Sequence, residues 1–134
     1  MISFLNDKKH ILEIVLRWIL GLLFFIFGLN FFLNFIPTPP PSESMKLMFE
    51  SFMNLKYILP LVKSLEVICG LMLLAKFCVP LALILLAPIV VNIAIIHFYF
   101  EPSGAIMAAF ILFLMFTLAL IYKNSFKQLF NSKF

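Results

Sequence analysis

The chain has 134 residues, 64% of them hydrophobic and only 12% charged, with 18 Phe and a mean hydropathy of +1.14. A soluble domain runs nearer to half apolar and about a quarter charged, and one of this size could not bury so much apolar surface. The formal charge of +4 comes from lysines at the ends of apolar runs, not from a basic face studded with aromatics, which excludes nucleic acid as a partner and makes the lipid bilayer the expected one.

In chain order, the first apolar run covers residues 11–36, enough to cross a hydrocarbon core of about 30 Å. It is too long for the apolar region of a cleavable signal, and no small-residue cleavage site follows, so it is expected to be retained. It stops at Pro37, Thr38, Pro39, Pro40 and Pro41, which cannot continue a helix. Residues 42–55 then carry Met45, Met48 or Phe49, and Phe52 at helical spacing, with Glu43, Lys46 and Glu50 between them. With Ser42 placed to cap its start, this pattern predicts a short helix lying in the interface, apolar face down. A second span is predicted over 57–75 and a third over 79–100, with Pro80 in the first turn, where its missing N–H does no harm. Residues 101–104 form a tight loop, and a fourth span over 105–122 has no charged residue. In the basic tail, Phe126 and Phe130 are spaced to touch the membrane surface. The expected fold is one all-α membrane domain, a four-helix bundle with an interfacial helix in its first loop.

Lysine counting orients the bundle. Lys8, Lys9, Lys76, Lys123, Lys127 and Lys133 fall on one side, and only Lys46 and Lys56 on the other, which predicts cytoplasmic termini and an outward-facing proline-rich loop. Cys69 and Cys78 form no CxxC or metal-ligand spacing. On one helix they would be roughly 13 Å apart, too far for a disulfide.

Ionisable groups at bilayer depth cost several kcal/mol and need a partner or a purpose. The polar residues singled out are Arg17, Asn30, Lys63, Glu66, Asn92 and His97. Helices one and three run outward and helix two inward, so Asn30, Lys63, Glu66, Asn92 and His97 fall in one slab of the outer half. Lys63 and Glu66, three apart, share a face and can pair. Gly70 continues that face and lets another helix come close. Pro88 leaves the carbonyl of Ile84 without its donor and favours a widening below Asn92 and His97. Glu66 is therefore expected at the centre of a ligand site, with Lys63 as counter-ion, Asn30 and Asn92 as hydrogen-bond partners, and His97 as a proton carrier or donor at the mouth. The same residues also admit a purely structural reading, with asparagines stitching helices and a pair that fixes packing. Arg17 shares a face with Gly21 and Gly28, and its long stem can reach the inner surface, so it reads as an anchor or packing residue. The fourth helix and most of the inner half read as inert walls. No Walker loop, GxGxxG, HExxH or GxSxG is present, His10 and His97 lie toward opposite faces, and no metal site is expected.

Several of these stretches together resemble the DoxX-like family of small bacterial membrane proteins. They are Gly28, Leu29 and Asn30 followed by Phe35-Ile36-Pro37-Thr38-Pro39-Pro40; the stretch from Leu59 and Pro60 through Lys63 and Glu66 to Gly70; and Phe77-Cys78-Val79-Pro80 with Ala87-Pro88, Asn92 and His97. Members often carry Lys after that first glycine, where this chain has Asn30. The resemblance implies a four-helix bundle in the bacterial inner membrane. It further implies a role such as those of members that serve quinone-linked thiosulfate oxidation or complexes tied to oxidative stress, whereas distant relatives act as membrane chaperones or cargo receptors. The expected function is a redox-associated subunit with an outward-facing site for a quinone or small oxidised species. The alternatives are a chaperone or assembly partner, or a small carrier. Another membrane or redox subunit, or a second copy of the chain, is the expected protein partner.

Overall fold

Every backbone N–H and C=O that enters hydrocarbon needs a partner inside the chain, and helices supply it locally. The protein, described here by a computed structural model over residues 1–131, is accordingly helical, with no strand among the described residues. Lys133, counted in the orientation above, lies outside the described residues. The elements are α1 (Ile2–Leu33), α2 (Glu43–Asn54), α3 (Ile58–Leu74), α4 (Val79–Tyr99), a single 3-10 turn (Pro102–Gly104), α5 (Ala105–Ile121) and α6 (Lys123–Asn131). Helices α1, α4 and α5 with its leading turn are each long and apolar enough to cross a membrane, and the bent pair α2–α3 adds a fourth span only when its two helices are counted as one.

Helices α1, α3, α4 and α5 form a ring. Helix α1 packs most extensively on α3, α3 on α4, α4 on α5, and α5 back on α1, so α1 and α4 stand at opposite corners. Leu20, Leu73, Leu83, Leu86, Leu118, Val90 and Cys69 fill the centre. Cys69 is thus a buried free thiol, whereas Cys78 is exposed in the turn before α4.

Helix α1 differs from its predicted span at both ends. It begins at Ile2, because nothing in residues 2–10 breaks a helix, and residues 2–12 are exposed. Hydropathy marks where lipid begins, not where helical hydrogen bonding begins. It ends at Leu33, ahead of the prolines, where Asn34 takes left-handed backbone angles (φ 50°, ψ 46°) and returns its N–H to the carbonyl of Asn30. Asparagine is among the few residues that adopt this conformation readily.

The close approach of α1 and α3 depends on glycine. A Cβ on Gly70 would lie 2.6 Å from the backbone nitrogen of Phe25 and 2.9 Å from the carbonyl of Gly21. One on Gly28 would lie 2.8 Å from Val67 Cγ2 and 3.2 Å from the carbonyl of Lys63. Backbone against backbone leaves no room for a side chain.

Helix α2 turns 96° from α3 and so lies across one end of the bundle. Ser42 caps it, its hydroxyl accepting the Met45 N–H at 3.3 Å. In the tail, α6 turns Phe126 onto the core, while Phe130 stays fully exposed.

Candidate functional site

Beneath α2, between α3 and α4, lies a cavity of about 420 Å³. Its roof is the apolar face of α2, made by Met45, Met48, Phe49 and Phe52. One wall is α3, with Ile58, Leu59, Val62, Lys63 and Glu66, and the other is α4, with Pro88, Ile89, Asn92, Ile93, Ile96 and His97. Ligand sites are commonly apolar hollows of several hundred Å³ with a few convergent polar groups, and this one fits that description.

The polar groups arrive by helical spacing. Lys63 and Glu66 stand one turn apart on α3, and the ammonium donates to both carboxylate oxygens at 3.0 and 3.2 Å. Glu66 is only 2% exposed, while a quarter of the Lys63 side chain (26%) is accessible. Both groups line the hollow, and the ammonium is the more accessible end of the pair. Across the hollow, Asn92 is exposed. Pro88 sits in an unbroken α4, one turn before Asn92, where its ring forms part of the wall. The Nδ1 of His97 is buried without a hydrogen-bond partner. Its ring packs so closely on Gly104 that any Cβ there would collide with it. Gly104 has an ordinary negative φ, so it is needed for space and not for conformation.

Four of the five residues expected at the site thus meet at one cavity. Asn30 does not. Its side chain is committed to the turn after α1, accepting the Ile36 N–H at 2.7 Å and donating to the Ile36 carbonyl at 3.2 Å. It closes the helix end, a role for which the neighbouring Asn34 and the proline run were the available signals.

A model of the DoxX family matches residues 12–99, which contain every residue that lines the cavity. The chain belongs to the DoxX family. No curated protein and no solved structure matches it. Among the described residues of this DoxX protein, no group of His, Cys, Asp and Glu is placed to hold a metal ion.

The end of the DoxX bundle opposite α2 is not an inert wall. Arg17 does not reach out to the surface. It is 6% exposed, donating from Nη1 to the carbonyls of Leu73 and Leu74 at 2.7 and 3.0 Å, and from Nε to Glu13 at 3.0 Å. The last carbonyls of a helix lack intrahelical donors and carry partial negative charge, so a guanidinium is well suited to them. Glu13, equally buried, accepts the Tyr122 hydroxyl at 2.6 Å. The cluster thereby ties α1 to the end of α3 and to the residue after α5. Glu13 four residues before Arg17 in an apolar run was the readable sign. Nothing local in the sequence points to Tyr122.

A second unforeseen tie holds the roof. Glu101 accepts the Ser42 N–H at 2.9 Å and the Ser103 hydroxyl at 2.8 Å, and the Ser42 hydroxyl donates to the Phe100 carbonyl at 3.0 Å. The Ser42 N–H and the Ser103 hydroxyl hold the Glu101 carboxyl below its ordinary range. These contacts fasten the start of α2 to the far end of α4.

Proposed function

We propose that this DoxX-family protein is a redox-associated subunit of the bacterial inner membrane that binds a quinone, or a small oxidised species of similar size, in the cavity under α2. The observation that carries this reading is the placement of hydrogen-bond donors on facing walls of an apolar slot, Lys63 on α3 and Asn92 with His97 on α4. A quinone ring is flat and apolar, with carbonyl acceptors at opposite ends, and asks for that distribution. Reduction of a quinone to the quinol consumes two electrons and two protons. In this reading a partner redox subunit supplies the electrons, and Glu66 and His97 are the groups able to exchange protons at the slot. The lysine distribution supports cytoplasmic termini, which would put α2 and the cavity in the outer leaflet.

The test is binding of a quinone to the purified protein in lipid nanodiscs, followed for wild type, Glu66→Gln and Asn92→Leu. Saturable binding that both substitutions abolish supports the reading. No binding by a folded wild-type protein sinks it and returns the choice to a chaperone or assembly role, for which crosslinking should then capture one dominant membrane partner. Unchanged binding in Glu66→Gln removes Glu66 from the site.

A further inference from the structure

The position of the cavity on the bundle decides how a ligand reaches it. Helix α2 covers the hollow at the bundle end and is held at both of its own ends. Its last residue connects to α3 through the short segment 55–57, and Ser42 at its start is bonded to Phe100 and Glu101. The roof therefore separates the hollow from the water at that end. The side between α2 and α4 is different, because α2 packs on α3, and its hydrogen bonds to the α4 end among the described residues are made by Ser42.

The outer surface of α4 carries an apolar stripe. Ile84, Val91, Ile95 and Phe98 are exposed and recur at helical spacing, which makes them the face that α4 turns to lipid. Pro88 lies within this stripe and is itself exposed, yet it also lines the cavity. Asn92 sits one turn further on, exposed and lining the same cavity. Counting back from Tyr99, Asn92 is about 10 Å and Pro88 about 16 Å along the helix, depths that belong to hydrocarbon. The cavity wall and the lipid-facing surface are thus one continuous surface on α4.

From this we infer that the cavity opens sideways into the bilayer between α2 and α4, and that its ligand is a lipid-dissolved molecule with a small polar head and a hydrocarbon tail. The head seats against Lys63 and Asn92, and the tail leaves past Pro88 along the exposed face of α4. This rests on the quinone reading for the nature of the head, but not for the route. It replaces the outward opening expected from the sequence, since the groups at the mouth face lipid and the roof faces water.

Route and ligand are tested separately. The sole tryptophan, Trp18, is replaced by Phe, and a reporter is introduced as Asn92→Trp or, in a second protein, Ile96→Trp, with lipid-facing Val91→Trp as the reference. The proteins are reconstituted in phosphatidylcholine vesicles, and fluorescence quenching is compared between spin-labelled acyl chains and aqueous iodide. The expected result is that acyl-chain labels quench the cavity reporters to the extent seen for Val91→Trp, while iodide quenches none. Quenching by iodide without quenching by the acyl label overturns the lateral mouth, as does an absence of quenching by either. A second measurement compares a benzoquinone bearing a decyl tail with the same ring lacking a tail. Pro88→Trp, which fills the mouth, is expected to abolish binding of the tailed compound and to leave that of the bare ring. Equal loss of both overturns the tail assignment. If neither compound binds the wild type, the quinone reading fails, and the quenching result still decides the route.

Discussion

Lys63 and Glu66 illustrate what one residue pair can and cannot reveal on its own. Their spacing made pairing expected, but the asymmetry between a buried carboxylate and a partly accessible ammonium arises only when α2 and α4 close around them. That asymmetry sets the cost of breaking the pair. Lys63→Met leaves Glu66 buried without its cation and should destabilise the protein by about 3 kcal/mol, the lower end for a buried pair because Lys63 is partly accessible. Glu66→Gln should cost only about 1 kcal/mol, since the ammonium keeps an acceptor and can reach the hollow. The double variant should be more stable than Lys63→Met alone, and unfolding in mixed micelles checks the order. If Lys63→Met and the double variant are equal, the pair contributes no coupling. At the other end of the bundle, Tyr122→Phe removes a hydroxyl bonded to a buried carboxylate and should cost about 2 kcal/mol by the same assay. The spacing of Glu13 and Arg17 was an available signal of their pairing, although Arg17 by itself reads as an anchor or packing residue. Their third partner, 109 positions from Glu13, had no such signal.

At the scale of elements, α1 and α3 behave as one unit because glycines let their backbones touch. Gly70→Ala meets backbone atoms that cannot step aside, so it should destabilise the bundle by about 2 kcal/mol. Gly21→Ala meets chiefly the Leu74 side chain, which can rotate, and should cost less. Thermal unfolding of the two variants in detergent separates them, and equal losses would argue against a backbone contact at Gly70. Helix α2 depends instead on a polar tie at its start. Because the folded Glu101 carboxyl titrates below its ordinary value, the tie is in place above the usual carboxylate range and is lost as pH falls through the lowered folded value. Amide exchange at residues 43–46 should therefore rise on acidification, once intrinsic exchange is corrected for. Glu101→Gln should show elevated exchange that no longer depends on pH. The apolar spacing in α2 and the serine cap were visible in the chain itself. The partner of that cap was not, since Glu101 is 59 residues from Ser42 and its neighbourhood reads only as a loop.

For the molecule as a whole, the number of crossings turns on α3, whose 17 residues span about 25 Å, slightly less than a typical hydrocarbon core. If α3 crosses, both termini lie on one side; if only α1, α4 and α5 cross, they lie on opposite sides. Tags at the two ends should be equally protected from protease in sealed inside-out or right-side-out vesicles, and opposite protection would reduce the crossings to three. The membrane environment, the all-α fold and the order of the helices were determined by the sequence alone, as was the grouping of the polar residues of α3 and α4 that line one cavity. Each follows from short-range properties, namely hydropathy, helical period and the punctuation of proline. Tertiary structure alone decided that Asn30 serves a turn, that the end opposite α2 holds a buried Glu13–Arg17–Tyr122 cluster, and that the cavity wall continues onto the exposed face of α4. These depend on which faces of distant helices meet, and one-dimensional periodicity carries no information about rotation or partner.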